Sequence, residues 1–259
     1  MSVPTLLAEQ YQFQDTGVLL NGTSAVPFVD LTAVSGLDSA PVREAVQSRE
    51  GQHGGWVDAT YQDPRTVTLE GTVYASPTAL DTYLDSLKAN FAPTATDQPL
   101  YIGTDITSVR MVNGRSLGFS YKKDSKRRVG SADFQVQIVC RDPRIYATTV
   151  TSLAANGTLT LGGNRDTVGT ITLAGPLTNP TVTLNGTTFT FAATSLTAGH
   201  SIVIDLDYKT VIQDGTTNVR SAMTMNAAWP VLNAGANTYS FTTGGGAGTV
   251  TVAARSAWQ

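Results

Sequence analysis

The sequence predicts a mainly β protein of two domains, and two observations carry this prediction. Apolar and polar residues alternate with a period of two along several short segments, which is typical of half-buried strands. The charged residues also divide the chain. Residues 1–148 hold 16 acidic and 13 basic residues, whereas residues 149–259 hold four of each. We therefore predict an α+β domain over residues 1–148 and a β-sandwich domain over residues 149–259.

The first domain is predicted to contain one helix between two long strands. Residues 66–74 and 132–140 alternate between apolar and polar side chains, as strands with one buried face do. Between them, Ser76 and Pro77 are suited to the start of a helix. A stripe of apolar residues at helical spacing follows, formed by Leu80, Leu84, Leu87 and Phe91. This pattern predicts a helix over residues 77–91 that lies against a sheet.

The second domain is predicted to be a β-sandwich without helices, because short alternating runs are separated by Gly, Asn and Asp. Asn185-Gly186 predicts a two-residue hairpin turn, since both positions of a type I′ turn need positive φ. The glycine-rich run 244–248 predicts a flexible hairpin tip. The predicted strands cover residues 157–161, 168–173, 181–184, 187–191, 201–207, 209–213, 218–225, 237–242 and 248–253.

Bulk composition narrows the class of function. The net charge of −3 gives no general attraction to nucleic acid or to an anionic membrane. The single cysteine, Cys140, excludes an internal disulfide framework and a cysteine-clustered zinc site. The N-terminal residues do not resemble a secretory signal, and no apolar run is long enough to cross a bilayer. We expect synthesis in a reducing cytoplasm, with no membrane insertion.

Two pairs of residues are the candidates for catalysis or metal binding. Asp205 and Asp207 stand two residues apart, so they could form an acid–base pair on one face of a strand. The alternative is that both carboxylates are solvated, on the outer face of the strand or at a turn. His53 and His200 lie in glycine-containing loops without ligand residues at metal-site spacing. We expect no catalytic residue, no metal site and no cofactor.

The tryptophans raise the possibility of sugar binding. Trp229-Pro230 and Trp258 could offer stacking surfaces to a carbohydrate, but an isolated Trp in a sandwich more often fills the core or an edge.

The strongest charge feature is a cluster of bases in residues 121–128. Its basic residues are Lys122, Lys123, Lys126, Arg127 and Arg128. Such a cluster could contact nucleic-acid phosphates, but the acidic excess of residues 1–148 opposes this. A solvated hairpin loop or a subunit interface is favoured, and we take these five residues as a candidate subunit-interface loop.

Longer motifs give the chain a resemblance to a known family. In the second half the motifs are Gly163-Asn164, Thr170–Pro176, Ala198–Asp205, Asp214-Gly215 and Trp229–Asn237. In the first half they are Gly36-Leu37, Val42-Arg43, Gly51–Gly55 and Asp142–Tyr146. In this order the motifs resemble those of phage distal tail proteins, the hub subunits at the tip of long non-contractile tails.

The resemblance implies a structural virion protein with no catalytic residues. It implies an N-terminal domain like a tail-tube subunit, closing into a homohexameric ring, and a galectin-like C-terminal sandwich. The ring would connect the tail tube protein to tail-tip and receptor-binding proteins at the tail tip of the virion, with DNA only as cargo through the lumen. The alternative functions are a carbohydrate-binding adhesion module for host recognition and a hydrolase of cell-wall polymers.

Overall fold

The chain divides into two units in a computed structural model, which describes residues 3–22, 25–44, 46–57, 60–104 and 108–259. The first unit contains residues 1–145 together with residue 259, and the second contains residues 146–258. The division falls between Ile145 and Tyr146, whereas the sequence placed the domain boundary between residues 148 and 149.

Eleven strands of the described residues belong to the first unit. They are β1 (Tyr11–Phe13), β2 (Leu19–Leu20), β3 (Phe28–Ser35), β4 (Val42–Arg43), β5 (Val46–Ser48), β6 (Gly55–Val57), β7 (Tyr61–Gln62), β8 (Arg65–Tyr74), β9 (Gln98–Gly103), β10 (Val109–Tyr121) and β11 (Ser131–Cys140). One antiparallel sheet has the order β2-β1-β9-β10-β11-β8-β3, and two separate ribbons pair β4 with β7 and β5 with β6.

The long strands β8 and β11 form the centre of this sheet. They pair over their full lengths, from Arg65 opposite Cys140 to Tyr74 opposite Ser131. Every second residue of β8 is buried, which is the pattern that the alternation in the sequence predicted. One face of these strands therefore lines the core, and the other is polar.

The helix α1 (Leu80–Asn90) covers the core face and is shorter than predicted. The Ser76 side chain does not cap it. The Ser76 carbonyl accepts from the amides of Ala79 at 2.9 Å and Leu80 at 3.0 Å, so residues 76–79 form a turn that leads directly into α1. The predicted apolar stripe is correct: Leu80, Leu84, Leu87 and Phe91 are all buried. No helix within the described ranges is long and apolar enough to cross a membrane.

The outer edge of β3 is partly covered by one residue. Asn21, with a φ of 56°, follows β2 directly. Its amide donates to the carbonyl of Val29 at 3.0 Å. Its side-chain oxygen accepts from the amide of Leu31 at 2.5 Å. Asn21 thus satisfies two main-chain groups of an edge strand.

The second unit contains further strands. They are β12 (Ile145–Ala147), which begins at the division, then β13 (Thr151–Leu153), β14 (Gly157–Leu161), β15 (Gly169–Ala174), β16 (Leu177–Thr178), β17 (Thr181–Leu184), β18 (Thr187–Thr190), β19 (Ser195–Leu196), β20 (Ser201–Asp205), β21 (Thr210–Gln213), β22 (Thr217–Asn218), β23 (Thr224–Met225), β24 (Gly235–Thr242), β25 (Thr249–Ala254) and β26 (Ala257–Trp258).

Two antiparallel sheets enclose the core of this unit. One has the order β13-β25-β15-β20-β21-β22 and the other has the order β14-β24-β17-β18-β23. Both sheets contribute inward-facing residues to a single apolar cluster. Among its members are Leu159, Ile171, Leu173, Val182, Leu184, Phe189, Ile202, Ile204, Val250 and Val252. The unit is therefore a β-sandwich.

The turn predicted at Asn185-Gly186 is present. Leu184 pairs with Thr187, and both turn residues have positive φ, 48° for Asn185 and 84° for Gly186. The sequence therefore identified this hairpin correctly.

Two predictions for this unit are wrong, and both concern places where the chain changes sheets. The predicted strand over residues 218–225 is interrupted by a 3-10 turn, Arg220–Ala222, between β22 and β23. The glycine run 244–248 is not a hairpin tip, because it connects β24 to β25 in the opposite sheet. It is also tied down: the amide of Gly244 donates to the carbonyl of Thr178 at 2.8 Å.

Candidate subunit-interface turn

The basic residues predicted to form an interface lie in a short turn, residues 122–130, which we call the basic turn. It connects β10 to β11 and contains one 3-10 helix. The side chain of Asp124 caps this helix by accepting from the amide of Lys126 at 3.0 Å. The amide of Lys122 donates to the carbonyl of Asp133 at 2.8 Å, which extends the hairpin pairing. The turn is thus ordered by the Asp124 side chain and by main-chain hydrogen bonds.

Gly130 ends the basic turn and joins it to Ala75, which lies between β8 and α1. Its φ of 81° is in the left-handed region, which glycine adopts at little cost. The Gly130 carbonyl accepts from the amide of Ala75 at 2.8 Å. A Cβ atom at this position would lie 2.1 Å from the carbonyl oxygen of Ala75, so any side chain here collides with main chain.

Lys126 binds within the domain. Its Nζ lies 2.7 Å from Oδ2 of Asp133, whose Oδ1 accepts from the hydroxyl of Thr72 at 3.0 Å. The hydrogen bond from Lys126, followed by that from Thr72, lowers the pKa of Asp133. The same hydrogen bond to Asp133 raises the pKa of Lys126. This pair fastens the basic turn to the polar face of the sheet.

Arg127 fastens the turn to the helix. Its guanidinium group forms a salt bridge with Asp81 in the first turn of α1. It also lies 5.9 Å from the ring centre of Tyr121, and Nζ of Lys88 lies 5.1 Å from the same ring. These cation–π contacts join the last residue of β10 to α1.

The other three bases are directed to solvent. Lys122, Lys123 and Arg128 are exposed and form no salt bridge within the described part of the chain. Val129, next to Arg128, is an apolar residue that is 76% exposed. The structure therefore divides the five predicted residues into two that hold the turn in place and three that are available to a partner.

Asp205 and Asp207 do not project together from one strand. β20 ends at Asp205, and Oδ1 of Asp205 accepts from the amides of Asp207 at 2.8 Å and Tyr208 at 3.0 Å. The Asp205 carboxylate thus caps the turn that follows. This arrangement matches the alternative in which the pair lies at a turn.

His200 has a partner that the sequence analysis missed. Its Nδ1 lies 2.7 Å from Oδ2 of Asp214, and Oδ1 of Asp214 accepts from the amide of Ser201 at 2.9 Å. The bond from Ser201, followed by that from His200, lowers the pKa of Asp214. The antiparallel pairing of β20 with β21 brings these distant residues together. His53 is exposed in the loop between β5 and β6.

Neither tryptophan named in the sequence analysis stands free on a sheet face. The Trp229 ring lies 5.8 Å from the ring of Phe189, and the Arg220 guanidinium lies 5.4 Å from its ring centre. Trp258 is half-buried in β26. Within the described residues, no three His, Cys, Asp or Glu side chains cluster closely enough to hold a metal ion.

Comparison with known families finds a resemblance for the C-terminal part of the chain. Residues 162–258 match the family model described as a siphovirus-type tail component, C-terminal domain. This part of the chain is similar to that family, and the predicted resemblance to phage distal tail proteins is confirmed. No curated protein matches the chain.

Solved structures share the fold over nearly the whole chain. One is the crystal structure of the Dit protein of phage SPP1, described as a paradigm of hub adsorption apparatus in phages that infect Gram-positive bacteria. It is 15% identical, with a TM-score of 0.70 over 95% of this chain and 98% of that chain. Another is the phage P2 baseplate in its activated conformation with Ca, 10% identical, with a TM-score of 0.54 over 94% and 97% of the two chains. The predicted mainly β fold is confirmed.

Proposed function

We propose that this chain is a structural virion protein: a distal tail hub subunit whose N-terminal domain closes into a homohexameric ring. The observation that carries the proposal is the likeness to the SPP1 hub protein, which extends over 95% of this chain and therefore includes both domains. The family match of residues 162–258 supports the same role from sequence. The C-terminal domain, of galectin-like topology in this proposal, is not needed for ring closure.

The ring would join the tail tube protein to the tail-tip and receptor-binding proteins, with DNA passing only as cargo. Subunits that are made separately and assemble later have partly polar interfaces, in which charged pairs set the register. The basic turn suits such an interface, because it is ordered before assembly and presents Lys122, Lys123 and Arg128 to solvent. The protein would act at the virion tail tip after assembly in the host cytoplasm.

The proposal assigns no catalytic role to the chain. The Asp205 carboxylate, one of the two candidates, accepts from the amides of Asp207 and Tyr208 as a turn cap. A carbohydrate-binding adhesion module is the second candidate, but Trp229 packs against Phe189 and Arg220 of its own domain and so offers little free ring surface. We therefore favour the hub.

The mass of the purified protein in solution tests the proposal. Light scattering should give the mass of a hexamer or of two hexamers, and negative-stain electron microscopy should show six-fold rings. A fragment of residues 1–150 should form the same ring without the C-terminal domain. A full-length protein that stays monomeric at high concentration contradicts the proposal.

A further inference from the structure

The polar face of the N-terminal sheet lies on four strands that have two uncovered edges. The strands β10, β11, β8 and β3 lie side by side in this order, each antiparallel to the next. Beyond Gly114, where its pairing with β9 ends, β10 pairs only with β11 among the described strands of its own unit. At the other edge, β3 pairs with β8 and is the last strand of the sheet. The two edge strands therefore run in opposite directions.

The side chains on this polar face form rows that cross all four strands. From the β10 edge to the β3 edge, the rows are Leu117, Gln137, Thr68 and Ser35; Ser120, Gln135, Glu70 and Ala33; and Lys122, Asp133, Thr72 and Asp30. The third row thus begins with a base at one edge of the sheet and ends with an acid at the other edge.

The two charges at the ends of the third row do not meet within one copy. Lys122 and Asp30 are both exposed, and neither forms a salt bridge in the part of the chain that the structure describes. The distance across the four strands is about 14 Å, because neighbouring strands lie about 4.8 Å apart. These two side chains come together only where the β10 edge of one copy meets the β3 edge of another.

Leu117 adds an apolar side chain to the β10 edge. It lies in a bulge, where Leu117 and Gly118 stand opposite Gln137, and it is 62% exposed. The bulge is fixed by Oγ of Ser116, which accepts from the amide of Gly118 at 3.0 Å and donates to the carbonyl of Phe91 at 2.8 Å. Bulges commonly redirect a side chain. The edge therefore presents both a positive charge and an apolar group to solvent.

We infer that the β10 edge of one copy lies against the β3 edge of the next copy, with Lys122 beside Asp30. This inference rests on the proposed function, because it assigns the lateral contact of the proposed ring. Leu117 then lies over Ala33 and Ser35, which are exposed and whose small side chains leave room for it. Because the two edge strands run in opposite directions, the antiparallel order continues from one copy to the next.

Side chains form the contact at Asp30, because the main chain of β3 is already occupied there. Asn21 binds the carbonyl of Val29 and the amide of Leu31, which a neighbouring strand would otherwise pair with. The Asp30 carboxylate stands on the polar face, so Asn21 does not cover it, and the long side chain of Lys122 reaches it from the next copy. Exposed charge pairs of this kind contribute more to register than to affinity.

The contact joins copies side by side, across the strands and not along them. It pairs two different surfaces, so each copy uses its β10 edge on one side and its β3 edge on the other. A series of such contacts closes when the rotation from copy to copy divides a full turn. The proposed six-fold ring meets this condition, and a closed ring leaves neither edge uncovered.

Chemical cross-linking of the full-length protein tests the inference. Cys140, the only native cysteine, is fully buried, and the second row offers two exposed, uncharged positions at the edges, Ala33 and Ser120. Ala33→Cys and Ser120→Cys proteins, mixed and treated with a short bis-maleimide, should give a cross-linked dimer, and each variant alone should give much less. A chain with both cysteines should give products of up to six chains. Ser86→Cys, exposed on α1 and away from both edges, is the control partner.

Charge exchange provides the second arm of the test. Lys122→Glu in the Ser120→Cys protein should reduce cross-linking to Ala33→Cys about fivefold, and more at low salt than at high salt. Asp30→Lys in the Ala33→Cys protein should do the same, and mixing the two reversed proteins should restore the dimer. Asp85→Lys, which makes the same charge change on α1, should have no such effect. The thermal unfolding temperature of each variant checks that its fold is preserved.

The outcomes separate this inference from the proposed function. Six-fold rings without the cross-link between positions 33 and 120 would overturn the inference and leave the hub proposal intact. The cross-link without rings, or products that continue beyond six chains, would support the contact and contradict the ring. Equal cross-linking to Ser86→Cys, or failure of the reversed pair to restore the dimer, would reject the contact. Retention of duplex DNA that Lys122→Glu abolishes, with no cross-link present, would identify nucleic acid as the partner of this edge instead.

Discussion

The side-chain amide of Asn185 donates a 2.8 Å hydrogen bond to Oδ1 of Asn237, a residue with no exposed surface. The same Oδ1 accepts from the amide of Asn233 at 2.7 Å. Nδ2 of Asn237 donates to the carbonyls of Asn233 at 2.9 Å and Gly235 at 3.1 Å. This single carboxamide joins the hairpin turn at Asn185 to the loop before β24. It gives a physical role to the last residue of the Trp229–Asn237 motif.

Replacing Asn237 with Leu should destabilise the C-terminal domain strongly. The substitution keeps a similar volume but leaves buried amides and carbonyls without partners, at a cost of about 2–4 kcal/mol. Urea unfolding followed by circular dichroism measures the change. Thr238→Leu, at the exposed position next to Asn237 in β24, is the control and should cost less than about 1 kcal/mol. Equal effects of the two variants would contradict the structural role of Asn237.

Leu84→Asp should destabilise the N-terminal domain by several kcal/mol. Leu84 is 1% exposed in the apolar stripe of α1, so the variant places a carboxylate in the core. Thr82→Asp, on the exposed side of the same helix, should change the midpoint of thermal unfolding little. If Leu84→Asp unfolds at the same temperature as the native chain, the stripe does not pack as described.

Gly130→Ala should be more costly than Gly186→Ala. The two glycines have nearly the same φ, 81° and 84°, so both variants have similar backbone strain, on the order of 1 kcal/mol. At Gly186 a Cβ atom meets nothing within 4 Å, whereas at Gly130 it collides with the Ala75 carbonyl. The two glycines lie in different units, so each loss of unfolding free energy is taken relative to the native value of its own unit. The excess loss at Gly130 then reports mainly the collision. A difference near zero would mean that Ala75 moves away freely.

Replacing the basic residues of the basic turn one at a time should separate them into two groups by the effect on the thermal unfolding temperature. Lys126→Glu and Arg127→Glu place a negative charge beside Asp133 and Asp81 respectively, so both should lower the thermal unfolding temperature. Lys123→Glu and Arg128→Glu should leave it within about 1 °C, because exposed charges without partners contribute little to folding. The same unfolding temperature for all four variants would show that Lys126 and Arg127 do not hold the turn.

Cys140 should be unreactive while the protein is folded. Burial raises the pKa of its thiol to about 12, so the reactive thiolate is scarce at pH 8. A thiol reagent should modify it only as fast as the domain unfolds, whereas Lys123→Cys should react at once. Because folding keeps the thiol protonated, its contribution to stability is complete below the ordinary pKa of about 9 and is lost as pH rises towards 12.

Elements with a strong local period could be predicted from the sequence. The alternation in β8 and β11, the stripe of α1 and the Asn185-Gly186 turn all depend on neighbours in the chain, so their signals are local. The predicted start of α1 was wrong because Ser76 and Pro77 are suited equally to a helix cap and to the turn that leads into the helix. The strand over residues 218–225 was wrong because the chain crosses between sheets there, which no local period records.

The candidate interface turn also combines a feature that the local sequence shows with one that only the tertiary fold determines. The five bases of the basic turn are visible in the sequence, but their separation into two groups is not. Lys126 and Arg127 bind carboxylates supplied by β11 and α1, and Arg127 reaches Asp81 across 46 positions of the chain. The pairing of His200 with Asp214 depends in the same way on the register between β20 and β21. Such partners follow from the tertiary fold and not from spacing.

The position of Asn21 at the edge of β3 has a consequence for the behaviour of newly made chains. An uncovered edge strand is a template on which strands of other molecules add, and this is a common origin of aggregation. By occupying the carbonyl of Val29 and the amide of Leu31, Asn21 prevents a foreign strand from pairing along this part of β3. An irregular register between Leu31 and Ala33 further disturbs any such addition. In the proposed hub, where several copies must meet before a ring closes, this protected edge would favour ring contacts over the addition of strands at β3.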